Sequence, residues 1–142
     1  MTWLIFAFLS AFFLSLTDLF TKLSSDKINN IFGSLIINLA ATITMIVALL
    51  IIKSKGEDVF SFKTNGIIYS VLAGIVVAIA TIFVLKMFSG GVNLSTAVPV
   101  VRIGIIIIGS LIGIILLKES ISLRYIAGFL ISLVGLYLLV GK

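Results

Sequence analysis

The 142-residue sequence has no cysteine, no histidine and a single proline. Without cysteine, disulfides and thiolate metal sites are excluded. Without histidine, the chain lacks the commonest general base and the commonest metal ligand. It also has no glycine-rich phosphate loop, no paired catalytic carboxylates and no nucleophile–base set. The sequence therefore predicts a protein that is not an enzyme and that needs no cofactor or metal.

Charged residues are scarce and apolar residues are abundant. Charged residues make up 11% of the chain and apolar residues 61%. In a soluble domain about 25% of residues are charged and roughly 45–50% are apolar. The net charge is +5, but the basic residues cluster at the ends of apolar segments, as they do in membrane proteins. The composition therefore predicts a membrane protein with lipid contacts and no nucleic-acid partner.

Five apolar stretches are each long enough for a membrane-spanning helix, which needs roughly 17–25 residues. They cover residues 2–21, 31–52, 66–87, 93–117 and 122–140. None shows the period-2 alternation of a membrane β-strand, and only helices or closed barrels satisfy backbone groups in lipid. The sequence predicts an all-α integral membrane protein with one domain over residues 1–142. We expect a multi-pass cell-membrane protein with five spans and its termini on opposite sides.

Arg102 is the most informative charged residue, because it lies about nine residues into the fourth apolar stretch. An ionisable residue at that depth is expensive and is by default a functional candidate. Asp18 and Lys22 share a helix face in the favourable acid-then-base order. Since successive helices alternate in direction, we hypothesise that Asp18 and Arg102 approach each other, with Lys22 and Lys86 above them. The alternative is an interfacial ion pair in which Lys22 extends to the headgroups.

Two other residues extend the candidate site. Pro99 removes a backbone donor three residues before Arg102, which predicts a kink and a freed carbonyl around Ser95. Asn38 has four hydrogen-bonding positions to satisfy in hydrocarbon, although such residues more often join helices, as we also expect of Ser110. The candidate substrate-binding residues are Arg102, Asp18, Asn38, Lys22 and Lys86.

The distribution of basic residues leaves the orientation open. The N-terminal face carries five of them: Lys53, Lys55, Lys63, Lys118 and Arg124. The other face carries four: Lys22, Lys27, Lys86 and Lys142. A difference of one is weak under the positive-inside rule. Either the N-terminal face is cytoplasmic or the chain inserts in both orientations.

The second half of the chain contains an ordered series of short motifs. They are Val84-Leu85-Lys86, Ser89-Gly90-Gly91, Ala97-Val98-Pro99-Val100, Leu116-Leu117-Lys118-Glu119, and the run 121–139 with Gly128 and Gly135. This series resembles the EamA-like repeat of the drug/metabolite transporter superfamily. The resemblance implies secondary transport of small metabolites by ten helices, built from two repeats of inverted topology. Glu119 matches the family pattern, and we interpret it as a structural carboxylate between Lys118 and Arg124.

This chain has only one such repeat, so it would form half of the ten-helix inverted-repeat unit. Two chains of opposite orientation would complete that unit, either as an antiparallel homodimer or with a second five-helix subunit. The expected function is a small secondary transporter or exporter of a metabolite, anionic or zwitterionic, working by alternating access. The alternative is a non-transporting accessory or assembly subunit of a larger membrane complex.

Overall fold

The computed structural model describes residues 2–60, 62–120 and 122–140. Within these ranges the regular secondary structure is entirely helical. The helices are α1 (Thr2–Ser25), α2 (Asn30–Ser54), α3 (Thr64–Ser89), α4 (Leu94–Ile115) and α5 (Leu123–Val140). The prediction of an all-α fold with five helices is confirmed.

Four of the helices, α1 to α4, are long and apolar enough to cross a membrane. The fifth is shorter, with a described apolar portion from Leu123 to Gly135. Large apolar side chains are exposed along every helix, which is the surface expected of helices that face lipid rather than water. These helices are those of a membrane protein, and the fifth span and the topology stay predictions.

Most helix ends differ from the predicted boundaries by one to four residues, and two of them are informative. Helix α1 continues to Ser25, because the hydroxyls of Ser24 and Ser25 donate to the carbonyls of Thr21 and Lys22, each at 2.9 Å. Polar residues at the end of an apolar run therefore extend the helix rather than end it. Helix α4 ends at Ile115, and beyond it Lys118 adopts φ +53°.

The first residues of α2 and α4 follow an asparagine, but only one of the two asparagines caps its helix. The Asn29 Oδ1 accepts hydrogen bonds from the backbone N–H groups of Ile31 at 2.9 Å and Phe32 at 3.4 Å. Asn93 occupies the same position before α4 and makes no side-chain cap hydrogen bond. The two residues are therefore a matched pair for measuring what a cap contributes.

We expect Asn29→Ala to lower the free energy of unfolding by about 0.5–2 kcal/mol, because the amide hydrogens at the start of α2 lose their acceptor. Asn93→Ala removes the same side chain without removing a cap bond, so it should lower the free energy of unfolding by only a small fraction of the Asn29→Ala loss. Thermal melts of the purified variants in one detergent measure the difference. Equal losses for the two variants would contradict the assignment.

The chain folds as two compact units divided after Gly90, the first containing α1 to α3 and the second containing α4 and α5. In the first unit, α3 packs against both α1 and α2. Burial is concentrated where α1 ends, α2 begins and α3 ends. Leu85 and Phe88 are fully buried there, and Ser25 is 2% exposed. The single domain predicted over residues 1–142 stays a prediction.

Gly33 explains why α2 and α3 approach so closely at this end. A Cβ atom built on Gly33 would lie 3.0 Å from Ile28 Cγ2 and 3.2 Å from Leu85 Cδ1. Glycine at this position therefore lets the fully buried Leu85 pack against the backbone of α2. Small residues at helix contacts serve the same purpose in other membrane bundles.

In the second unit, α4 packs against α5. The Ser122 Oγ accepts from the backbone N–H of Tyr125 at 3.1 Å, which caps the first turn of α5. The turn before α4 uses Gly91 at φ +80°, a conformation that glycine adopts at no steric cost. Serine and glycine are the residue types that commonly occupy such cap and turn positions.

Candidate functional site

Arg102 lies inside α4 and is partly buried. It follows Leu94, the first residue of the helix, by eight positions, which places its Cα about 12 Å along the axis at 1.5 Å per residue. Arg102 is not without a partner, since it takes part in a polar, ring or electrostatic interaction. A partnered arginine at this depth is the arrangement that a functional intramembrane cation requires.

Asp18, in the first unit, is a second charged residue inside a helix of spanning length. It is partly buried in α1 and also takes part in a polar or electrostatic interaction. It precedes the end of α1 at Ser25 by seven residues, or about 10 Å along the helix axis. Because α1 ends at residue 25 and not at the predicted residue 21, Asp18 lies further inside the helix than expected. The predicted approach of Asp18 to Arg102 stays a prediction.

Lys22 is held by the end of α3. Its Nζ donates to the carbonyl oxygen of Phe88 at 3.3 Å and lies 5.7 Å from the centroid of the Phe88 ring. The carbonyl is one of the groups that a helix leaves without an intrahelical donor at its C-terminus. The lysine therefore joins α1 to α3, a contact that no sequence pattern indicated. Lys86, two residues before Phe88 on α3, is exposed.

Asn38 contacts its own helix and, through Ser34, the neighbouring one. Its Nδ2 donates to the Ser34 carbonyl at 2.8 Å and lies 3.4 Å from Ser34 Oγ. The Ser34 hydroxyl in turn donates to the Ala78 carbonyl of α3 at 3.3 Å. These contacts match the helix-joining interpretation of Asn38, and a substrate contact stays a prediction.

Pro99 lies inside α4, which runs through it without interruption from Leu94 to Ile115. The N–H groups of Thr96 and Ala97 both donate to the Asn93 carbonyl, at 3.1 and 2.9 Å. Proline has no N–H, so the Ser95 carbonyl loses the donor that another residue would supply. An acceptor is thereby made available seven residues, or about two turns, before Arg102.

A pocket between α4 and α5, which we call the α4–α5 pocket, was not predicted. It has a volume of about 180 Å³ and is lined by Ser110, Ile114, Glu119, Ser120 and Tyr125. The hydroxyls of Ser110 and Tyr125 are hydrogen-bonded to each other. Sequence reasoning treated Ser110 and Glu119 as structural residues, and the only signal for the pocket was that Glu119 matched a family pattern.

The described residues contain no cluster of three or more acidic, histidine or cysteine side chains able to hold a metal ion. Comparison of the chain with family models, with curated proteins and with solved structures yields no match. The likeness to the EamA-like repeat therefore stays a resemblance carried by the motifs of the second half. The functional argument depends on the residues themselves.

Proposed function

We propose that the chain is a small secondary transporter or exporter of an anionic or zwitterionic metabolite, working by alternating access. The observation that carries the proposal is the partly buried, partnered Arg102, about 12 Å inside a helix long enough to span a membrane. Intramembrane ionisable residues most often mark substrate or ion pathways. A structural role alone would not require a guanidinium at this depth.

The chemistry of Arg102 selects the substrate class. A guanidinium presents a planar set of donors that matches a carboxylate or a phosphate with two parallel hydrogen bonds. The carbonyl freed by Pro99 is an acceptor on the same helix, as at the broken helices of known transporter sites. Together they suit a small molecule with an anionic group and a hydrogen-bond donor. In this proposal Asp18 carries a proton.

We propose further that two chains of opposite orientation form the transporting unit. The nearly even distribution of basic residues supports this arrangement, because it imposes little bias on insertion. An antiparallel pair also reproduces the inverted repeats on which many transporters are built. Pairing with a different five-helix subunit remains the alternative partner.

Purified protein reconstituted alone in liposomes tests the proposed activity. We expect protein-dependent exchange of at least one member of a panel of amino acids, dicarboxylates and sugar phosphates loaded inside the vesicles. Protein-free liposomes give the baseline, and tetraphenylphosphonium serves as a lipophilic cation of the opposite class. Exchange of the cation alone would contradict the substrate class. A folded protein that binds and moves none of the panel would favour the accessory-subunit alternative.

A further inference from the structure

The hydroxyl pair in the α4–α5 pocket has a defined direction. The Ser110 Oγ lies 2.5 Å from the Ile106 carbonyl oxygen and is also hydrogen-bonded to Tyr125. A serine hydroxyl has one hydrogen, and a carbonyl can only accept. Ser110 therefore donates to Ile106, and Tyr125 must donate to Ser110. The phenolic oxygen of Tyr125 is left with acceptor capacity towards the pocket.

The backbone places the Glu119 carboxylate against the last turns of α4. Lys118 adopts φ +53°, and the Glu119 N–H donates to the Gly113 carbonyl at 3.1 Å. A Cβ atom on Gly113 would lie 2.6 Å from Glu119 Oε2, so a larger residue there would displace the end of the glutamate side chain. Within the described residues, the Glu119 carboxylate makes no hydrogen bond or ion pair, although Lys118 and Arg124 flank it in sequence.

This end of α4 carries negative charge that a cation would offset, although the Glu119 side chain is exposed. A helix C-terminus carries a partial negative charge on its carbonyl groups, and basic residues in the last turn usually offset it. The last turn of α4 has no basic residue, and Glu119 adds a full negative charge beside it. The polar groups that line the pocket can each accept a hydrogen bond: the Glu119 carboxylate, the Tyr125 oxygen and the Ser120 hydroxyl, which can also donate.

An apolar cavity adjoins the polar one. It has a volume of about 130 Å³, and its lining adds Leu111, Ile126 and Phe129 to residues that it shares with the α4–α5 pocket. The rings of Tyr125 and Phe129 are stacked with their centroids 6.5 Å apart. A cation beside Tyr125 would also meet the negative face of an aromatic ring.

We propose that the α4–α5 pocket binds a primary ammonium group whose apolar body lies in the adjoining cavity. An ammonium has three donors and no acceptor, which complements the carboxylate, phenol and hydroxyl oxygens. The described residues contain no group of three or more acidic, histidine or cysteine side chains that could hold a metal ion, and this pocket has a single carboxylate. The ammonium belongs either to a soluble amine or to the headgroup of a phosphatidylethanolamine molecule, because the pocket lies at the end of a helix of spanning length. This site does not depend on the transport proposal.

Phenethylamine is the probe, added to the purified full chain in phosphatidylcholine nanodiscs and followed by titration calorimetry. We expect saturable binding. N,N,N-trimethylphenethylammonium keeps the charge and the ring but has no N–H donor, so it should bind at least about fivefold more weakly. Glu119→Gln should weaken phenethylamine binding about tenfold or more, and Tyr125→Phe several-fold. Glu57→Gln, a carboxylate change between α2 and α3, is the matched control and should change nothing.

Replacing half of the phosphatidylcholine by phosphatidylethanolamine distinguishes the two sources. If the headgroup is the natural ligand, the apparent Kd for phenethylamine should rise severalfold in wild type and not in Glu119→Gln. If a soluble amine is the ligand, the Kd should not change. Equal binding of the primary and trimethylated amines, wild-type affinity in Glu119→Gln, or no binding to wild type would each overturn the proposal. The comparison of the two amines uses wild type and does not depend on the folding of any variant.

Discussion

Replacing Arg102 by alanine should reduce solute exchange by the reconstituted protein by about 30-fold or more. Removing one partner of a buried, hydrogen-bonded charge pair costs about 2–5 kcal/mol, and a bound anionic substrate would form such a pair with the guanidinium. Arg102→Lys should restore only part of the activity, because an ammonium keeps the charge but cannot form the two parallel hydrogen bonds of a guanidinium. Initial rates in liposomes of equal protein content measure the effect.

Arg124→Ala is the matched control for this experiment. Arg124 lies in the first turn of α5, in the same unit as Arg102, and is exposed. Its loss should leave exchange within about a factor of two of wild type, because an exposed charge contributes little. Arg102→Ala with wild-type exchange, or an equal loss in both variants, would remove the basis for a substrate site on α4. Size-exclusion profiles and helical circular dichroism establish that each variant is folded.

The helices could be predicted from the sequence because uninterrupted apolar runs of this length have few alternatives. The errors lie at helix ends, where polar side chains decide the last turn. Ser24 and Ser25 continue α1 by donating to carbonyls within the helix. Hydropathy contains no information about such local bonds, so the predicted end of α1 came too early.

The contacts between helices could not be predicted in the same way. Lys22 was expected to pair with an acid or to extend to the headgroups, but its Nζ donates to the carbonyl of Phe88, which is 66 residues away in sequence. That carbonyl acts as an acceptor because it lies at the end of α3, and no side-chain type marks a backbone acceptor. A lysine near a helix end in sequence is therefore compatible with several partners, and packing selects one.

The α4–α5 pocket shows a second limit of sequence reasoning. Its shape depends on the positive φ of Lys118, a conformation that non-glycine residues seldom adopt. Without that turn, Glu119 has the appearance of a solvated charge at the end of a helix. With it, the exposed carboxylate lies against Gly113 and lines one pocket with Ser110 and Tyr125. The candidate function of Glu119 therefore became visible only in three dimensions.

The antiparallel arrangement predicts that wild-type chains insert in both orientations in comparable numbers. Reporters fused to the C-terminus, one active only inside the cell and one active only outside, should both give strong signals. The physical reason is the count of basic residues, five on the N-terminal face and four on the other. Since orientation follows the Lys and Arg content of short loops, a few substitutions should convert this mixed population into a single one.

Two opposite sets of substitutions make the test decisive. Changing Lys53, Lys55 and Lys63 to glutamine leaves two basic residues on the N-terminal face against four, whereas changing Lys27 and Lys142 leaves five against two. Each variant should insert in one orientation and lose most of its exchange activity, because it has no oppositely oriented partner. Co-expression of the two should restore exchange, since together they supply both halves of the inverted pair. Full activity of either variant alone, or a single wild-type orientation, would exclude the antiparallel homodimer and leave pairing with a second subunit.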